Sequence, residues 1–94
     1  MKTLIRDARQ LGNLIRRARK QQSLSQKSLG DRAGRRQETI SLLENGNPAA
    51  KIATVLSVLA ALNLELQAAP RTKGEYLRRR YRSNQPPYWS LSKP

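Results

Sequence analysis

The chain has 94 residues, no cysteine, no histidine and a formal net charge of +13 at pH 7. This length predicts one small domain with a modest core. The missing cysteines exclude disulfides and thiolate metal sites, and the missing histidines exclude imidazole ligands and imidazole-based nucleophile pairs. The six carboxylates are scattered along the sequence. We therefore predict no enzyme activity, no metal and no cofactor.

The basic composition indicates a polyanionic partner, and nucleic acid ahead of a membrane. No apolar run approaches the roughly 18 residues of a transmembrane helix. Residues 1–7 also lack the apolar stretch of a signal peptide. We therefore expect a cytoplasmic protein that associates with the nucleoid through DNA.

The first two of four predicted helices begin at recognisable caps. Asp7, three residues before Gln10, has the spacing of a capping box, and the apolar residues that follow recur at helical spacing. Ser25 caps a second helix from Gln26 to about Ala33. The apolar positions assigned to the core of the first helix are Ala8, Leu11, Ile15 and Ala18.

The third and fourth helices are separated by Gly46, which ends the third. We predict the third helix from about Gln37 to Asn45, after a turn at Gly34. Asn47-Pro48 predicts the start of the fourth, with asparagine as its cap and proline at the first helical position. This helix continues to about Leu62 and carries more apolar residues than one narrow stripe needs. Part of its surface is therefore expected to meet a second subunit.

Residues 63–70 have the alternation of a short strand, because apolar and polar side chains take turns. A lone strand leaves backbone groups unpaired, and a two-fold dimer would pair it with its own copy. An extended linker is the alternative. If the dimer forms, the sequence predicts these contacts: Leu59, Leu62, Leu64 and Leu66.

The second and third helices have the spacing of a DNA-binding helix-turn-helix, in which the later helix enters the major groove. Arginine can hold a guanine, glutamine an adenine, and glutamate a cytosine amine. The N-terminus of the second helix favours the binding of a phosphate. A solvated, arginine-rich face is the alternative. The predicted DNA contacts are Gln26, Lys27, Arg35, Arg36, Gln37, Glu38, Thr39, Ser41 and Asn45.

Residues 26–34 and 37–46 resemble the Xre/Cro group of phage-repressor-type helix-turn-helix domains, most specifically at Thr39-Ile-Ser41 and Glu44-Asn-Gly46. The resemblance covers about residues 8–62. It implies an all-α, compact, lambda-repressor-like domain that binds operator DNA as a dimer. Gly30 stands where the group usually has alanine.

Residues 36–45 and 62–67 are further similar to the HipB-type antitoxins of HipBA-type toxin–antitoxin pairs. That resemblance implies a strand that pairs with the dimer mate, a DNA-bound dimer that holds a HipA-like kinase toxin, and repression of its own operon. By position it places Lys27, Arg36, Gln37 and Glu38 in the major groove. Glu38 stands where such proteins often have a small residue, so a different operator is expected.

We divide the chain into a DNA-binding and dimerisation domain, residues 1–69, and a basic tail, residues 70–94. The tail holds seven lysines or arginines against one acid. Its Arg78-Arg-Arg80 run suits phosphate contacts, or else an acidic toxin surface. Tyr88 and Trp89 either anchor a partner or do nothing. Two other functions stay open: a stand-alone or phage-type regulator with no toxin, and an interaction protein whose tail neutralises a partner.

Overall fold

The computed structural model describes residues 3–71, which contain four helices and no strand. The helices are α1 (Ala8–Gln21), α2 (Gln26–Ala33), α3 (Gln37–Glu44) and α4 (Ile52–Ala61). α3 packs against both α1 and α2, and α2 packs against α4. This arrangement is the compact all-α helix-turn-helix fold that the sequence predicts. The predicted tail contacts at Tyr88 and Trp89 lie outside the described residues.

Local capping chemistry starts the first two helices where it was expected. The Asp7 carboxylate accepts a hydrogen bond from the Gln10 backbone N–H at 2.8 Å. The Gln10 side chain reaches back to the Arg6 N–H, at 2.6 Å. Ser25 Oγ accepts from the Ser28 N–H at 2.9 Å. Each cap satisfies a backbone donor that the helix itself leaves free, and so fixes the first residue of the helix.

The predicted start of α4 at Asn47-Pro48 is wrong. The helix begins at Ile52, with Lys51 in the capping position and no side-chain capping bond. Asn47 instead closes a turn of its own, because its Oδ1 accepts from the Ala49 N–H at 3.1 Å. An asparagine side chain that bonds the backbone two residues on competes with helix initiation. The prediction failed because the two uses of asparagine share one sequence signature.

The apolar side chains of the core are all aliphatic. Ile15, Leu29, Ile40 and Val58 are fully buried at its centre. Gly12 allows α1 to approach α3 closely, because a Cβ atom on it would lie 2.7 Å from the Glu44 carbonyl oxygen. The other buried apolar side chains are Ala18, Leu43, Val55, Leu59 and Leu62.

The four residues predicted to contact a second copy fall into two groups. Leu59 and Leu62 are 3% and 1% exposed and pack inside the core of their own chain, because they lie on the inward side of α4. Leu64 is half-buried against that core, and its N–H donates to the Leu59 carbonyl at 2.8 Å. Leu66 is 53% exposed. Only the segment after α4 therefore offers these side chains to a partner.

Across residues 3–71, none of the helices has both the length and the apolar character that crossing a membrane requires.

Candidate nucleic-acid interface

The turn between α2 and α3 is built by two glycines. Gly34 adopts a left-handed conformation with φ 67°, which glycine takes without a steric cost. The Arg35 N–H then donates to the Gly30 carbonyl at 2.8 Å. A Cβ atom on Gly30 would lie 2.6 Å from the Arg35 carbonyl oxygen, so a larger residue here would require the Arg35 backbone to shift. The two residues together set the tight angle between the helices.

Three of the predicted DNA contacts stand together at the start of α3. Arg36 is the N-cap residue of α3, and it is exposed, so its guanidinium can reach a partner in solvent. Gln37 and Glu38 occupy the first turn, and all three residues are exposed. Thr39 and Ser41 are half-buried on the flanks of the same helix. The structure thus groups an arginine, an amide and a carboxylate on one projecting helix end.

At the start of α2, the side chains of Gln26 and Lys27 differ in how firmly the rest of the chain holds them. Gln26 is half-buried, and its Nε2 donates to Glu44 Oε1 at 3.2 Å. Lys27 is exposed and pairs with Asp31 one turn along, with 3.4 Å between Nζ and Oδ2. An exposed pair of this kind contributes little and is easily exchanged for another anion.

Two predicted contacts are held elsewhere by their own chain. Arg35 Nε donates to Ser57 Oγ on α4 at 3.0 Å. Asn45, at the far end of α3, accepts from Arg16 Nη2 at 3.2 Å. The structure therefore does not bring these two side chains to the projecting end of α3.

Behind the exposed face, Glu44 joins the first three helices. Its side chain is fully buried, and it accepts from Arg19 Nε at 2.6 Å and from Arg19 Nη2 at 3.1 Å. Arg16 Nε on α1 lies 3.4 Å away from the same carboxylate, and Gln26 bonds it from α2. Arg19 also donates to the Leu24 carbonyl at 2.8 Å and so ties down the loop before α2.

The pKa of Glu44 reflects two opposed effects. Burial alone raises the pKa of this carboxyl, but hydrogen bonds from Arg19, Gln26 and Arg16 stabilise the charged form, and the pKa is lowered overall. The hydrogen bond to Glu44 raises the pKa of Arg19. Both groups are therefore ionised at neutral pH.

The sequence did not lead us to predict this ion pair, because only apolar residues of α1 were assigned to the core. A usable signal was present. Glu44 follows Ile40 by four residues, so the two side chains share the inward face of the helix. A carboxylate in such a position needs a cation, and an arginine of α1 was the available candidate.

Comparison with known proteins agrees with this geometry. A protein-family model described as helix-turn-helix matches residues 15–68. Among solved structures, a HipB–O4 20mer complex aligns with TM-score 0.71 and 27% identity, covering 76% of this chain and 100% of that one. A HipA–HipB–O2–O3 complex aligns with TM-score 0.69 and 32% identity, covering 77% of this chain and 100% of that one. No curated protein matches the sequence significantly.

The buried carboxylate predicts a specific acid sensitivity. Because the folded-state pKa of Glu44 is lowered, its stabilisation is present above the ordinary pKa of glutamate and is lost as pH falls through the lowered folded value. Glu44→Gln should cost about 3 kcal/mol at pH 7, since Arg19 loses its charged partner. The variant should also lose less stability than the wild type between pH 7 and pH 3. Urea unfolding across this pH range measures both effects.

Glu38→Gln is the matched control, because Glu38 is an exposed glutamate on the same helix. Its pH profile should follow that of the wild type. Parallel profiles for the wild type and Glu44→Gln would contradict the assignment.

Proposed function

Since the chain belongs to the Xre-type helix-turn-helix family of DNA-binding regulators, we propose that it is a transcriptional repressor that binds operator DNA as a homodimer. It acts in the cytoplasm, on the nucleoid. The observation that carries the proposal is the exposed start of α3. That helix end projects hydrogen-bonding side chains, while Glu44 holds the helix rigidly to α1 and α2.

In this proposal α3 lies in the major groove and its first turn reads base edges. Arg36 holds a guanine, Gln37 an adenine, and Glu38 accepts from a cytosine amine. Glu38 repels phosphate, so a base is the suitable partner for it. Thr39 and Ser41 contact bases or the DNA backbone from the flanks of α3.

The remaining predicted contacts bind the phosphate backbone. Gln26 and Lys27 open α2, where the free N–H groups and the positive end of the helix dipole favour an anion. Lys27 can exchange Asp31 for a phosphate. Arg35 and Asn45 contribute only if they leave Ser57 and Arg16, and we therefore rank them after Arg36 and Gln37.

The homodimer uses the exposed apolar edge of α4 and the segment that follows it. Ile52 and Leu66 are 62% and 53% exposed and line one groove of about 300 Å³. Leu56, one turn after Ile52, extends this edge. Residues 64–68 lie beside it and supply the backbone that pairs with the partner copy as a short two-stranded ladder. The other residues that line the groove are Ile5, Ala8, Leu11, Asn47, Pro48, Ala50 and Val55.

We further propose that the repressor is the antitoxin of a HipBA-type pair. Similar solved structures are of HipB, and one of them is a complex with HipA. The partner would be a HipA-like kinase toxin, which the dimer holds while it represses its own operon. Tyr88 and Trp89 are then candidate anchors for that partner. The second candidate function is a stand-alone or phage-type regulator with no toxin. The helix-turn-helix match alone supports it equally well.

The DNA-reading assignment predicts a change in base preference for Arg36→Ala. Loss of a bidentate guanine contact should weaken binding to the preferred duplex by about 1–3 kcal/mol and relax selection at one position of each half-site. Selection from a random duplex pool, followed by titration at fixed salt, measures both. Arg32→Ala, an exposed arginine of α2 outside the proposed contacts, is the control. An unchanged preference in Arg36→Ala would refute the assignment.

The dimer surface predicts dissociation of Ile52→Glu. A charge inside the apolar groove should shift sedimentation equilibrium from a dimer toward the 10.7 kDa monomer, without loss of helical circular dichroism. Ala53→Glu places the same charge on an exposed residue of α4 that neither lines the groove nor lies on the line of Ile52 and Leu56, and it should stay dimeric. A monomeric wild type, or a dimeric Ile52→Glu, would contradict the proposed surface.

The antitoxin assignment predicts a stoichiometric protein partner. Affinity purification of the tagged full chain from native cell extract, after nuclease treatment, should retain a kinase-like protein identified by mass spectrometry. Deletion of residues 72–94 tests whether the tail is needed to hold it. Recovery of DNA with no protein partner would leave the stand-alone regulator.

A further inference from the structure

Leu42 is an exposed leucine in an unusual place. Five large apolar side chains are exposed within residues 3–71, and Leu42, at 55%, is the one that lies on α3. The next residue, Leu43, is 3% exposed and belongs to the core. An exposed leucine is ordinary on a protein surface, so the position of Leu42 carries the argument.

That position is on the outward line of the helix. At 3.6 residues per turn, Glu38, Leu42 and Asn45 share one face, opposite the buried pair Ile40 and Leu43. All three outward residues are exposed. Leu42 therefore lies one helical turn beyond Glu38, on the face that the proposed function turns toward the bases.

The chain leaves Leu42 uncovered on its other side as well. A shallow hollow of about 100 Å³ separates it from the residues that precede α4, among them Asn47, Ala50 and Lys51. The side chain thus has open space around it, and a base edge can approach it.

The chemistry of Leu42 restricts what it can contact. Residues 37–44 contain no lysine or arginine, so this part of α3 offers no cation to a phosphate. An isobutyl group neither donates nor accepts a hydrogen bond. The C5-methyl group of thymine is the apolar feature that a base presents in the major groove. The side chain and the methyl group therefore match in polarity.

We infer that Leu42 is a specificity-determining residue that contacts the C5-methyl group of a thymine in the operator. The inference rests on the proposed function, because it requires α3 to lie in the major groove. Removing a methyl group from such a contact should weaken binding about fourfold, in line with the transfer free energy of one buried carbon group.

Deoxyuridine substitution tests this contact directly, because it deletes the thymine methyl and keeps the base-pairing edge and the O4 acceptor. The probe is the duplex that the wild-type chain selects from a random pool, with each thymine replaced in turn. We expect one thymine per half-site at which the replacement weakens wild-type binding about fourfold. Leu42→Ala should bind the thymine and deoxyuridine duplexes equally, since its shortened side chain no longer reaches the thymine methyl group.

Leu4→Ala is the matched control, because Leu4 is also an exposed leucine and lies outside α3. It should keep the sensitivity of the wild type. The inference is overturned if no thymine in the selected duplex shows the effect, if that duplex contains no thymine, or if Leu42→Ala remains as sensitive as the wild type. A wild-type chain that selects no sequence at all overturns the proposed function together with the inference, and so the two failures are distinguishable.

Discussion

The buried ion pair between Glu44 and Arg19 is the constraint on which the rest of the structure depends. It joins α3 to α1, and through Gln26 it also reaches α2. A buried pair of this kind adds little net stability, because desolvation offsets most of the attraction. Its directional hydrogen bonds nevertheless hold the end of α3 against α1 and α2. The projecting helix end is therefore presented at a fixed angle before any ligand arrives, and binding need not order it.

Some charged residues of the domain are bound within the fold, and others are exposed and available to a partner. Arg19 and Glu44 neutralise each other inside the fold, and Arg35 is occupied by Ser57. Arg36 and Lys27 lie exposed at the ends of the two paired helices. Total charge therefore explains attraction to a polyanion, but it does not identify which cations are available. That information comes from the hydrogen bonds that the chain makes with itself.

Local chemistry determined what could be predicted from the sequence. The cap Ser25 and the turn at Gly34 each depend on a few neighbouring residues, so the bounds of α2 and the start of α3 were predicted correctly. The start of α4 was not, because an asparagine–proline pair suits both a helix cap and an isolated turn. The roles of Leu59 and Leu62 depend on which side of α4 meets the other helices, and the wide apolar arc of that helix does not decide this. The predicted contacts Arg36, Gln37 and Glu38 are exposed at the start of α3, but the tether of Arg35 to Ser57 spans 22 positions and has no local signal.

The two sides of α3 have separate duties, and this separation bears on how such a protein can change over generations. Ile40, Leu43 and Glu44 hold the helix in place, while Glu38, Leu42 and Asn45 face away from the core. Mutations on the outward side carry little penalty in folding, because nothing in the interior is packed against them. A duplicated gene could therefore drift toward a new operator while its product stays folded. A few codon changes within this one short helix would then be enough to stop the duplicated regulator from binding the operator of the original one.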